Sequence, residues 1–113
     1  MRASLGATIG ATNNGGINAM DSSSIHNYYE KVVFSAVQEQ AQHYPHLQGN
    51  GDTLADIACV ALNRLPPRYI RHDVDFAFFQ TEHERGDTER AVQEAVEFAF
   101  GFVQARNAMR ARR

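Results

Sequence analysis

The chain of 113 residues reads as all-α: a small helical domain of three to four helices, with room for one short extended segment after a Pro-Pro turn, assembling as a homodimer. Apolar residues recur at three- and four-residue spacing in three separate stretches. Tyr44-Pro45 and Pro66-Pro67 close the first two, because proline has no amide hydrogen to give and clashes with the preceding turn. The third stretch carries aromatic side chains around much of its circumference, more than a chain this short covers by itself, and that asks for a partner subunit.

Residues 1–24 are mostly Gly, Ala, Asn, Ser and Thr, with too few large apolar side chains to offset the entropy of ordering them. They are expected to form a disordered N-terminal tail ahead of a helical domain over 25–113. Helix one is predicted from Ser24 or Asn27 to about His43, with Asn27 and Glu30 at capping-box spacing. Tyr29, Val32, Val33, Ala36, Val37 and Gln40 form its packing face. His46 to Gly51 reads as a loop, Asp52 as the cap of a central helix, and Asp56 as a favourable charge in its first turn.

The central helix, with Leu54, Ile57, Ala58, Ala61, Leu62 and Leu65 on one face, is expected to end near Leu65. The lone cysteine, Cys59, falls on that apolar face, where a small buried hydrophobe is the plain reading and a reactive thiol the alternative. From Tyr69 onward Ile70, His72, Val74, Phe76 and Phe78 alternate, which is the period of a strand. A single short strand is not stable, so it either lies across the helices or pairs with its copy in a second subunit. Gln80 to Gly86 reads as a polar loop. The last helix is predicted to begin at Asp87 or Thr88, with Ala91, Val92, Ala95, Val96, Ala99, Phe102 and Val103 in one line and Phe98 and Phe100 off it.

The formal net charge of −2 argues against a generic polyanion binder. Ten of the eleven cations are nevertheless Arg, Lys31 being the exception. A GC-rich genome accounts for such a bias, and so does selection for a planar fork that matches phosphate oxygens or a guanine edge. No run approaches the ~18–20 apolar residues of a membrane span, and the amino end lacks the apolar core of a secretory signal, so the expected compartment is the cytoplasm and no membrane contact is expected.

Catalytic patterns are thin. Gly6, Gly10 and Gly15 follow no strand and precede no Walker-type lysine. His43 and His46 flank a helix-breaking proline without a cysteine beside them, and Asp73 and Asp75 read more simply as a solvated face than as ligands of a divalent ion. No metal is expected. No region supplies a nucleophile, a base and an orienting group together, so the chain is not expected to be an enzyme.

What stands out is the set around the proline stop: Asn63, Arg64, Arg68, Tyr69, Arg71 and His72. Residues 61–70, ALNRLPPRYI, preceded by an aspartate and followed by an aromatic-rich segment, resemble the signature of the late competence development protein ComFB family. The stretch beginning Asn27-Tyr-Tyr-Glu30 is similar to that family's first helix opening. The likeness covers about residues 27–79 and, more loosely, the last helix. It implies a small, mainly helical homodimer without catalytic machinery, many members of which are receptors for cyclic dinucleotides, cyclic di-GMP above all. Some members hold a structural zinc through cysteines before the central helix; the matching segment here, Leu47 to Thr53, has none, so the zinc is not carried over.

A cyclic dinucleotide presents two phosphates and two purines. Binding it requires cations, a flat side chain to stack on a base, and polar groups for the base edge. Arg64, Arg68, Tyr69 and Arg71 supply the first two needs, and Asp73 is the nearest acceptor for a guanine edge. Asn63 is a candidate at the turn, and Tyr28 and Lys31 on helix one are candidates to complete the pocket. On residue type alone, the alternative is a half-buried Tyr69, an Arg64 paired with Asp56 or Glu30, and two solvated arginines. The expected ligand is cyclic di-GMP, with cyclic di-AMP as second choice, and the expected protein partner is a downstream regulator. The competing function is a helical dimerisation or protein-interaction module without a ligand. DNA binding ranks below both, resting only on the arginine-rich C-terminus.

Overall fold

A computed structural model describes residues 19–72, 74 and 80–112. Three α-helices dominate: α1 (Tyr29–Ala41), α2 (Gly51–Asn63) and α3 (Glu82–Ala111). A two-stranded antiparallel sheet joins β1 (His26–Asn27) to β2 (Tyr69–Ile70), with His26 opposite Ile70 and Asn27 opposite Tyr69. The mainly helical expectation holds, and the extended segment after the prolines exists, but its partner is the entry to α1 rather than either of the two expected. Of the expected continuation, Val74 is helical and exposed, and residues 73 and 75–79 lie outside the described residues.

Each helix buries one stripe. Tyr29, Val33, Val37 and Ala41 recur at four-residue spacing along α1 and meet Ile57, Ala58, Ala61 and Leu65 from the second helix region. Val92, Ala95, Val96, Ala99, Phe100 and Val103 of α3 close the core, and small residues at 58, 61, 95 and 99 let backbones approach. Phe100, 1% exposed, stacks on Tyr44 with ring centroids 4.8 Å apart. The α2 to α3 contact is fixed at its edge by Arg106 Nη2, which donates to the Asp56 carboxylate at 3.3 Å. Across the turn from α1, His46 and Gln104 share a hydrogen bond of 2.8 Å.

Helix ends depart from the expectation in consistent ways. The Asn27–Glu30 box is not the start signal of α1: the helix begins at Tyr29, and the Asn27 carboxamide oxygen accepts from the Tyr29 amide. The same helix stops at Ala41, earlier than His43, and the Gln48 side chain donates to its Ala41 carbonyl. A 3₁₀ turn at Pro45–Leu47 and Gly49, at φ +80°, carry the chain around. Asn50, not Asp52, caps α2 by accepting from the Thr53 amide at 3.2 Å, which leaves Asp52 in the first turn where the dipole favours it. That helix ends at Asn63 because Leu65, as the residue before a proline, is pushed out of the helical region.

The largest difference is in α3, which starts five residues before Asp87. Thr81 and Glu84 form a reciprocal capping box, so the segment expected as a loop is the first turn of the helix. Phe100 is buried while Phe102 is 46% exposed, the reverse of the expected order, because the core line runs 92, 96, 99, 103 and takes 100 as its neighbour. Cys59 is exposed, not buried: it follows Ala58 around the helix, off the packed face. Of the expected tail, residues 1–18 lie outside the described residues, and Ser22–Ser24 forms a 3₁₀ turn capped by the Asp21 side chain.

A candidate ligand-binding edge beside the Pro-Pro turn

Asn27 organises the edge. Its carboxamide oxygen accepts two backbone hydrogen bonds, from Tyr29 at 3.2 Å and from Arg68 at 3.1 Å. The Tyr28 amide donates to the Arg68 carbonyl at 2.6 Å, and the strand pair continues the tie at Tyr69. A single side chain thus fixes the start of α1 and the backbone after the prolines together. Sequence reasoning saw Asn27 only as a local cap, since its second partner lies 41 residues away.

Upon this frame the expected residues fall into two groups. Tyr28, Arg68 and Tyr69 are brought together at the sheet, with the Tyr69 side chain outward at 69% exposure. Arg71 follows, exposed, close enough to Asp21 for its charge to act on that carboxyl. The Asp21 carboxyl is held below its ordinary value first by the Ser23 hydroxyl, then by the Ser23 amide, with Arg71 a smaller contribution.

Arg64 is placed separately, at the C-cap of α2, where its guanidinium lies 3.8 Å from the centre of the Phe98 ring on α3. It pairs with neither Asp56 nor Glu30 in the described contacts; Asp56 is taken by Arg106. Asn63 turns back on its own helix and donates to the Cys59 carbonyl at 3.0 Å, a turn-shaping role. Lys31 is exposed on the first turn of α1, and Asp73 lies outside the described residues. Phe98 was missed as a site residue because nothing local marks an aromatic 34 positions downstream as the seat of an arginine.

Tyr28 also forms one end of a groove of about 540 Å³ between α1 and α3. Val32, Ala36, Val92 and Val96 line it, and Glu39, Glu89 and Glu97 contribute carboxylates. Arg85 lines the groove as well, but three carboxylates against one guanidinium leave it net negative, so a doubly charged anion is better served by the arginine edge. Among the described residues no group of three or more His, Cys, Asp or Glu side chains could hold a metal ion, and no helix is long and apolar enough to cross a membrane.

The chemistry of the edge is that of recognition. Guanidinium groups stay charged at any physiological pH and offer planar pairs of donors, and an exposed phenol on a tethered backbone offers a stacking face. Among protein families, the model for late competence development protein ComFB matches residues 26–107. No curated protein matches the chain.

Proposed function

Because this chain belongs to the late competence development protein ComFB family, we propose that it is a competence-related signalling protein of a definite kind. It is a non-catalytic receptor for a cyclic dinucleotide, cyclic di-GMP before cyclic di-AMP, acting in the cytoplasm as a homodimer whose contact with a downstream regulator depends on the ligand. One observation carries the reading. Tyr69 stands 69% exposed between Arg68 and Arg71 on a backbone that the Asn27 carboxamide and the strand pair hold in place.

The physical case is preorganisation. A ligand that bound a loose loop would have to order it first, whereas here the backbone of residues 68–70 is already tied to α1. The phenol ring can stack on a purine while arginines on either side meet phosphate oxygens or the O6 and N7 edge of guanine. Tyr28, whose amide bonds the Arg68 carbonyl, adjoins this edge; Lys31, exposed in the first turn of α1, and Asp73, as acceptor for the guanine amine, are the further candidates.

Isothermal titration with cyclic di-GMP, cyclic di-AMP and GTP tests this. Saturable binding of the first is expected, with each of Tyr69→Ala, Arg68→Ala and Arg71→Ala weakening it by about tenfold or more, the loss of one charge-assisted pair or one stacked base. Binding that survives all three at parental strength refutes the site. No heat with any cyclic dinucleotide refutes the receptor itself and leaves the second reading, an interaction module, which the exposed Phe98–Phe102 stack favours.

A further inference from the structure

The groove between α1 and α3 has the form of a seat for one more helix. Tyr28, Val32 and Ala36 recur every four residues on one wall, and Thr88, Val92 and Val96 recur likewise on the other. Rows at that spacing are the ridges between which another helix lays its side chains. The walls run from Tyr28 to Gln40 and from Arg85 to Glu97, a helical rise of about 18 Å on either side. Val92 and Val96 are buried at the floor, whereas Val32 and Ala36 are only half-buried, so apolar surface of α1 is left uncovered by the three helices.

The rim carries charge that the fold does not use. Glu39 and Glu97 make no ion pair among the described residues. Glu39 stands in the last turn of α1, where the helix dipole disfavours an acid, and Glu97 lies three residues from Glu94, a like-charge spacing that weakens a helix. Glu89 is the third rim carboxylate. Arg85, the one cation of the lining, is held by Glu82 at 2.7 Å. Carboxylates placed at a cost to their own helices, on both sides of an apolar trough, call for cations from outside.

We infer that this groove docks a basic amphipathic helix of a partner protein, its aliphatic line seated over Val32, Ala36, Val92 and Val96 and its arginines or lysines meeting Glu39, Glu89 and Glu97. The inference rests on the reading above for the existence of a downstream partner and names that partner's chemistry, but it does not rest on the ligand. The two sites take opposite charges, and they meet at Tyr28, which lines the groove while its amide donates to the Arg68 carbonyl. The aliphatic rows select a peptide over a small polyamine, which has no apolar side chains to place there. Because the rim is exposed, the attraction is weakened by salt.

Fluorescence anisotropy with the full chain and three designed helical peptides of about 18 residues tests it without any nucleotide. One peptide carries a leucine line flanked by arginines, the second the same line flanked by glutamates, and the third the same arginines on a leucine-free helix. Spermine serves as a small polycation. Saturable binding of the first peptide alone is expected, weakened by about tenfold when Glu39→Gln, Glu89→Gln and Glu97→Gln are combined, the loss of three exposed ion pairs. All three glutamates are exposed, so that variant should keep its helical circular dichroism. Ala36→Arg, which fills the trough with a cation, should abolish binding, and Arg85→Gln, which removes the opposing charge, should tighten it by about twofold. No saturable binding of the first peptide, parental binding by the triple variant, or equal binding of the glutamate-flanked peptide would overturn the groove. Equal binding of the leucine-free peptide, or displacement by spermine alone, would overturn it as a helix seat and leave an acidic surface. A parent dimer that Ala36→Arg dissociates in sedimentation velocity would put a second copy in the groove and overturn the partner. Tyr69→Ala should leave peptide binding unchanged while weakening cyclic di-GMP binding, so the two readings fail separately.

Discussion

Replacing Asn27 with alanine should loosen the edge more than any other single change outside the core. The carboxamide oxygen accepts from the part-buried Tyr29 amide at 3.2 Å and from the exposed Arg68 amide at 3.1 Å. A hydrogen bond of this kind is worth about 0.5–1.5 kcal/mol net, toward the upper half for the Tyr29 bond because its donor is partly shielded, and toward the lower for Arg68, whose amide water can reach. The sum is about 2 kcal/mol. For a domain of this size 1 kcal/mol moves the melting midpoint by about 4–8 °C, so Asn27→Ala is expected to lower it by roughly 8–16 °C in circular dichroism at 222 nm. Asn27→Asp keeps the acceptor and should recover most of the loss. Amide exchange at Arg68 should accelerate in the alanine variant while exchange in the middle of α3 changes only by the global amount. An unchanged midpoint, or an aspartate variant as unstable as the alanine one, would refute the double-acceptor account.

Two further outcomes follow from helix ends and charge. Thr81→Ala removes one half of the capping box of α3, since the Glu84 amide loses its acceptor at 3.1 Å, and should cost about 1 kcal/mol, with faster exchange confined to the first turns of that helix. Asp21 is held below the ordinary carboxyl range, so its contribution is present above the unfolded carboxyl's range and is lost as pH falls through its folded value; the 3₁₀ turn at Ser22–Ser24 should therefore loosen on acidification, read from the Ser23 amide shift by NMR, and Asp21→Asn should remove that pH dependence.

How much of this was legible beforehand depends on the range of the interaction. The apolar stripes of α1 and α2 and the proline stop were readable because they are periodic or local, and the family signature at residues 61–70 agrees with the later match over 26–107. The ends were less so. Asn50 rather than Asp52, and Thr81 six positions before Asp87, are choices between residues with similar capping chemistry, decided by where the chain turns. What could not be read at all is long-range pairing: β2 against β1, Arg64 on Phe98, Asp56 with Arg106. Each joins residues 34 to 50 apart, and no spacing rule reaches that far. Cys59 failed for another reason: a stripe predicts a face but not its width, and one position off the Ala58 line is already outside.

Arg64 stands apart from the strand-tethered edge, at the C-cap of α2, seated on Phe98 of α3. The central carbon of its guanidinium lies 3.8 Å over the centre of the Phe98 ring, a contact made through the cation's charge and not through a hydrogen-bond acceptor. The ring therefore does not compete with a phosphate for the N–H donors; it restrains the side chain that carries them. If Arg64 contributes to ligand binding, Phe98→Leu, which keeps apolar bulk but removes the ring, should weaken cyclic di-GMP binding by the cation–π energy of an exposed pair, about 0.5–1 kcal/mol or some two- to fivefold. Arg64→Ala should weaken it more, and Phe98→Leu made in the Arg64→Ala protein should add nothing further, because the ring then has no arginine to hold. Titration calorimetry on the four proteins at one common concentration gives the coupling directly. Additive losses would mean that Phe98 reaches the ligand by another route, and tighter binding in Phe98→Leu would mean that the stack holds Arg64 away from its ligand.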